Sequence, residues 1–198
     1  MIIQKPVADY GNYVYIQGGK ARTQKDKILS SVTKRRKAFF DLFMMIKSYM
    51  LPGNLLCLGA RSGCEVVGAA LAGFPKTIGI DLFPLDKSVI KADWHDMPFP
   101  DENFKNVFTN SIDHCADLEK LIFEIKRVLI PAGRFILAAS YGQKIGRNIK
   151  DRAKKNSKEF LFWEHPKEIS DVFVKNGFSL IYETQFSSDK IYILQVNK

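Results

Sequence analysis

The sequence predicts an α/β fold: a doubly wound, mostly parallel seven-stranded sheet with an antiparallel terminal strand. Three observations carry this prediction. Short apolar runs alternate with helical patterns between residues 54 and 139, as strand–helix–strand units require. The first run, Leu55-Leu56-Cys57-Leu58, lacks polar alternation and suits a strand covered on both faces. The chain closes with two strand patterns around Ser187-Ser188-Asp189, a hairpin that adds antiparallel pairing at one edge.

The elements follow in order. From Asp26 to Met50, Ile28, Leu29, Val32, Phe39, Leu42, Phe43 and Ile46 recur at mostly helical spacing, and Pro52-Gly53 ends the pattern. This predicts one amphipathic helix with Lys34-Arg35-Arg36-Lys37 on its exposed side. The first strand, near 54–58, runs into Gly59-Ala60-Arg61-Ser62-Gly63 and a small-residue helix from Cys64 to Gly73. The second strand, Lys76 to Asp81, ends in an acid. Only twelve positions then separate Asp81 from Asp93, so the crossover helix after the second strand is shortened to a turn before a strand over Ser88 to Ala92. Asn106 to Ser111 reads as a strand and Asp117 to Leu129 as a helix. Pro131-Ala132-Gly133 forms the turn into a strand over Arg134 to Ala139. Residues 142–158 read as loop or irregular helix. Pro166 to Asn176 is a helix stopped by Gly177, and the last strands lie near 178–185 and 190–196.

Composition bounds the function. With 198 residues, 46% hydrophobic and 12% aromatic, the chain can bury one sizeable core but is short for two. It is therefore read as a single domain over 1–198. A helical lid segment spans 1–50, the ligand-binding core 51–140, a basic aromatic lid 141–165, and the last helix and strand pair 166–198. No run approaches a membrane span and no signal peptide precedes the domain, which predicts a soluble, cytoplasmic protein. Cys57, Cys64 and Cys115 form no CxxC pair and have no His at zinc spacing, so buried free thiols are expected and no metal site. The net charge of +9 is concentrated: residues 1–50 carry ten basic and three acidic side chains, residues 51–100 four and five. A second basic cluster includes Lys144, Arg147, Lys150, Arg152, Lys154, Lys155 and Lys158. Such segments suit an anionic acceptor or partner.

In doubly wound sheets ligands bind beyond the carboxyl ends of the strands, where strand order reverses. Gly59 permits the sharp turn there, and Gly63 lets the next helix start close to strand and ligand. Such glycines also occur in purely structural turns. Asp81, 22 residues after Gly59, stands where a carboxylate accepts from both ribose hydroxyls, or caps the next turn. Arg61 occupies the middle position of the G-x-G-x-x-G pattern and would crowd a pyrophosphate. A nucleoside ligand without phosphates, S-adenosylmethionine, fits better than a dinucleotide.

Five motifs in sequence make this specific: Leu55 to Gly63; Gly79-Ile80-Asp81; Asp93-Trp94-His95-Asp96-Met97-Pro98-Phe99-Pro100-Asp101; Val107-Phe108-Thr109-Asn110-Ser111 with Asp113-His114; and Glu124 to Gly133. In this order they resemble class I S-adenosylmethionine-dependent methyltransferases of the type 11 group, which have a Rossmann-like fold. The resemblance implies that Gly59, Ala60 and Gly63 border the methionine moiety and Asp81 binds the ribose. It further implies that Asp93 accepts from the adenine amino group, that the Trp94 backbone approaches the ring and that Leu82 packs on it. Asn110 and Ser111 would lie under the sulfonium. Two departures stand out, Cys57 where an acid is common and Arg61 where a glycine is. Arg61 is expected to reach the cofactor carboxylate.

Methyl transfer needs alignment and a neutral or deprotonated nucleophile, so no fixed triad is expected. For a hydroxyl acceptor, His114 is the candidate base, with Asp113 second; packing or capping roles are the alternatives. His95 and Asp96 would shape the adenine-side loop, and His165 a helix start. Tyr10, Tyr13, Tyr15, Tyr141 and Phe160 to Trp163 supply the acceptor lid. Two readings of different class result. One is O-methylation of a small-molecule or glycan acceptor. The other is a catalytically silent protein of this fold that binds RNA or another anionic partner through its basic segments; nucleic acid is the less favoured partner.

Overall fold

Leu55–Leu58 carries four apolar side chains and buries all of them, so the strand must lie inside a sheet with both faces covered. In the computed structural model, which describes residues 1–5, 10–141, 149–150, 153 and 159–198, this strand is β2. The elements run β1 (Ile3–Gln4), α1 (Tyr10–Thr23), α2 (Lys25–Ser30), α3 (Val32–Ile46), β2 (Leu55–Leu58), α4 (Cys64–Leu71), β3 (Thr77–Asp81), β4 (Val89–Lys91) and β5 (Phe104–Thr109). They continue with α5 (Leu118–Val128), β6 (Leu129–Ser140), β7 (Leu161–Phe162), α6 (Lys167–Lys175), β8 (Phe178–Phe186) and β9 (Asp189–Val196).

Seven strands form one sheet in the order β4-β3-β2-β5-β6-β9-β8. β4, β3, β2, β5 and β6 run parallel to one another, and β9 pairs antiparallel with both β6 and β8. Successive residues of β2 serve opposite cores. Leu55 and Cys57 pack with Leu42, Phe43 and Ile46 of α3 and Ala69 of α4. Leu56 and Leu58 pack with Leu121 and Ile125 of α5 and Phe173 of α6. The sheet is therefore wound on both sides, as expected. Chain order reverses between β2 and β5, which fixes where a crevice can open.

No helix joins β3 to β4. Residues 82–88 instead form a loop tied by Leu85 N donating to the Arg61 carbonyl (2.7 Å) and by Asp86 accepting from Ser88 N and Oγ. The expected shortening of this crossover is thus a loop folded back on the turn after β2.

Several local expectations differ from the structure. The helix expected over 26–50 breaks at Ser31 into α2 and α3. The Ser30 and Ser31 hydroxyls donate to the carbonyls of Lys27 and Ile28, competing with the helical ladder. The Lys34–Lys37 run does not lie wholly in solvent, because Arg35 bonds Glu65 and Arg36 bonds Asp86. Pro131-Ala132-Gly133 lies inside β6, where pairing jumps from Phe104↔Leu129 to Asn106↔Arg134 and Ala132 takes a positive φ of 57°. The turn is an irregularity within one strand. Helix α1 falls within the helical lid segment expected over 1–50, the small β1–β7 sheet was not foreseen, and Phe160 to Trp163, expected in the lid, are buried. Of the second basic cluster, only Lys150 lies among the described residues. All three cysteines are buried and unbridged. No helix among the described residues is long and apolar enough to cross a membrane.

The α3–α4 contact closes at Gly68, where a Cβ would lie 2.6 Å from Phe39 Cβ and 2.8 Å from Phe40 N. Gly68→Ala should destabilise by about 1–3 kcal/mol in urea unfolding, because α3 must back away from α4. Helix propensity alone would instead stabilise by about 1 kcal/mol, so a more stable variant would show that the helices separate freely.

Candidate active site

A cavity of about 390 Å³ opens at the carboxyl ends of β2, β3 and β5, at the point where strand order reverses. The sheet side contributes Gly59, Arg61, Asp81, Leu82, Asp93, Trp94, Ser111 and His114. The opposite wall comes from the N-terminal helices: Tyr10, Tyr13, Gln17 and Lys20 of α1, Ile28 of α2 and Arg35 of α3. Eight of the twelve site residues expected from sequence therefore meet in one place.

The remaining four do not line it. Ala60 is buried and packs beneath Gly79, whose added Cβ would lie 2.8 Å away. Gly63 starts α4 at φ 66° and faces the 82–88 loop, where a Cβ would fall 2.8 Å from Asp86 Cγ and Ser88 Oγ. Asn110 accepts from the Ser111 hydroxyl, and the Asp113 carbonyl accepts from Phe160 N. Gly59 behaves differently. At φ 73° its Cβ would lie 3.0 Å from Ser111 Cβ and 3.5 Å from the Trp94 ring, so its lack of a side chain keeps the cavity floor open.

Asp81 is 8% exposed and its carboxylate is met by three donors. Oδ2 accepts from Arg61 N (3.2 Å), while Oδ1 accepts from Phe83 N (2.8 Å) and faces Arg61 Nε at 3.5 Å. The Arg61 guanidinium reaches on to Gln17 Oε1 at 3.2 Å. Its side chain thus joins the end of β3 to α1.

Asp93 is organised by His95 and Tyr10. The backbone N and Nδ1 of His95 approach Oδ1 at 2.9 and 2.8 Å, and the Tyr10 hydroxyl donates to Oδ2 at 2.5 Å. His95 Nε2 accepts from Asp117 N, which places the ring proton on Nδ1 and makes it a donor to Asp93. Burial pushes the Asp93 carboxyl up, but these donors outweigh it and hold the group at about 2. Burial and the Asp93 charge together push the Tyr10 hydroxyl far above its ordinary value.

His114 sits in a turn of 3-10 helix, Ile112–His114, with its ring centroid 5.9 Å from that of Tyr13. Its Nδ1 is buried with no protein partner. Glu65, absent from the sequence reading, is 2% exposed beside Arg35, with Oε1 3.2 Å from Nη2. Burial raises its carboxyl to about 7 against the pull of Arg35. Gln17, Lys20 and Arg35 were also missed as cavity residues; they lie on helices outside the five motifs. The one local sign was a glutamine amid the tyrosines and glycines of 10–19. Among the described residues no group of three or more His, Cys, Asp and Glu could hold a metal ion.

Residues 53–137 match the family model described as a methyltransferase domain. No curated protein sequence matches the chain. Among solved structures, Burkholderia thailandensis 1,6-didemethyltoxoflavin-N1-methyltransferase, with bound 1,6-didemethyltoxoflavin and S-adenosylhomocysteine, aligns at TM-score 0.71 and 12% identity, covering 98% of this chain and 92% of that one. A chain of the complex containing the Haloferax volcanii Trm112 methyltransferase activator aligns at 0.71 and 16%, covering 91% and 97%. A Thermotoga maritima SAM-dependent methyltransferase, given as a possible histamine N-methyltransferase, aligns at 0.65 and 16%, covering 90% and 98%. At these identities the likeness is one of fold.

Glu65 gives the site a pH signature. Its folded-state value lies above the ordinary one of 4.5, so the stability from its neutral form is complete below that value and is lost as pH rises through about 7. Glu65→Gln, which stays neutral, should gain stability relative to the parent between about pH 5 and about pH 8 in urea titrations. A difference that does not change with pH would show that Glu65 does not titrate there.

Proposed function

We propose, from the premise that this chain is a class I S-adenosylmethionine-dependent methyltransferase of the type 11 group through residues 53–137, that it O-methylates a small-molecule or glycan acceptor carrying an anionic group. The residues present fit the cofactor. A carboxylate offers about four acceptor directions. Asp93 has three taken, by Tyr10 Oη and by His95 N and Nδ1, which leaves one for an amino group such as that of adenine. Asp81 likewise keeps one direction for a ribose hydroxyl. Leu82 and Ala92 supply apolar surface between these acids, and the cavity volume suits a small ligand.

When bound, S-adenosylmethionine supplies an electrophilic methyl group on a sulfonium. The chain's own contribution is to position the acceptor, exclude water and take up a proton. The observation that carries O-methylation is His114, which lines the cavity and whose Nδ1 is buried without a protein partner. An imidazole nitrogen there would accept the acceptor's hydroxyl proton. Lys20 and Arg35 line the opposite wall, Arg35 with its guanidinium paired to Glu65, and the anionic character of the acceptor rests on the basic excess of residues 1–50. The two similar structures named for N-methyl transfer make amines the competing acceptor class.

Two measurements test this. S-Adenosylhomocysteine should bind the parent saturably in calorimetry and bind Asp81→Asn about tenfold more weakly, the loss expected for a charge-assisted hydrogen bond. Methyl-labelled S-adenosylmethionine offered with a panel of anionic alcohols, glycans and amines should label the alcohols or glycans. His114→Gln should then lose about 10²-fold or more in turnover while binding S-adenosylhomocysteine like the parent. Label confined to amines, or full turnover by His114→Gln, would overturn the O-methylation reading.

A further inference from the structure

Gln17 is 2% exposed and lines the cavity, yet its amide is only half satisfied. Oε1 accepts from Arg61 Nη2, and Nε2 is buried with no hydrogen-bond partner. The orientation of this amide is set by chemistry. A guanidinium has donors only, so the oxygen must face Arg61 and the NH2 group must face elsewhere. A buried donor with no acceptor is costly and marks a place where a partner is missing.

The same chain of contacts shows what kind of partner. Arg61 Nε stands 3.5 Å from Asp81 Oδ1 while its Nη2 holds Gln17, so one side chain sets the spacing between the acid and the amide. Asp81 already receives Arg61 N and Phe83 N, and it has room for one further donor at most. A vicinal diol presents two hydroxyls, each able to donate and to accept. Asp81 can accept a hydrogen bond from one, and the second then needs another protein partner.

We propose that Gln17 Nε2 is that partner: it donates to the second ribose hydroxyl oxygen, so that α1 and the end of β3 read the diol together. This rests on the cofactor reading above and deepens it. It also gives a physical reason for Arg61 in place of the middle glycine, since a glycine could not bridge Asp81 to α1. Helix α1 approaches close enough because Gly18 faces Phe83, whose ring would lie 3.0 Å from an added Cβ.

The test is a binding cycle read by calorimetry, with S-adenosylhomocysteine and its 2′-deoxy and 3′-deoxy analogues as ligands. Gln17→Leu should bind S-adenosylhomocysteine about three- to tenfold more weakly than the parent, the size expected for one neutral hydrogen bond. One of the two deoxy analogues should show the same loss with the parent and no further loss with the variant. Equal affinity of parent and variant, or losses that multiply for both analogues, would overturn the proposal. If Gln17→Leu does not fold by circular dichroism, Gln17→Glu serves, because it keeps an oxygen for Arg61 and removes the donor. It should show the same non-additivity. Failure of the parent to bind S-adenosylhomocysteine at all would instead strike the cofactor reading, whereas parent binding with multiplying losses strikes Gln17 alone.

Discussion

A carboxylate at the end of a buried parallel strand is the constraint around which this molecule is arranged. Asp81 terminates β3 where the sheet leaves little water, and buried polar oxygens there require hydrogen-bond donors. The donors come from three directions: the turn after β2, the loop that replaces a crossover helix, and the Arg61 side chain. Each restricts the chain further. The 82–88 loop has to fold back on Gly63, and Arg61 has to extend to Gln17 of α1.

The second carboxylate repeats the solution with different parts. Asp93 is held by His95, which is itself fixed by the start of α5, and by Tyr10 from α1. The N-terminal helix is thus fastened at two points, one over each acid, with Tyr13 packed between Phe160 and His114. Those fastenings give the crevice at the carboxyl ends of the central strands a second wall.

Much of this arrangement was legible from residue order. The apolar run 55–58, the acid ending the next strand and the paired strands at the C-terminus specify layers and topology because burial on both faces leaves few alternatives. Gly59, Asp81, Asp93, Ser111 and His114 were identifiable because they sit at strand ends, whose positions the topology dictates. Tyr10 and Tyr13 of the opposite wall were expected in the lid, but Gln17, Lys20 and Arg35 were hidden for a physical reason. Helix α1 mixes tyrosines with two adjacent glycines and has no clear apolar stripe, so its burial depends on tertiary contacts that periodicity does not encode. Arg35 looked like part of a solvated basic run until Glu65, thirty residues away in sequence, was found beneath it. Charge counted along a chain does not reveal which cations already have partners.

The central claim is that α1 and the strand-end acids form a single nucleoside-binding unit. Amide hydrogen exchange with and without S-adenosylhomocysteine tests it most directly. The account predicts that added ligand slows exchange together in residues 10–23, 59–63, 81–83 and 93–95. Protection limited to the sheet-side segments, with α1 exchanging as before, would contradict it.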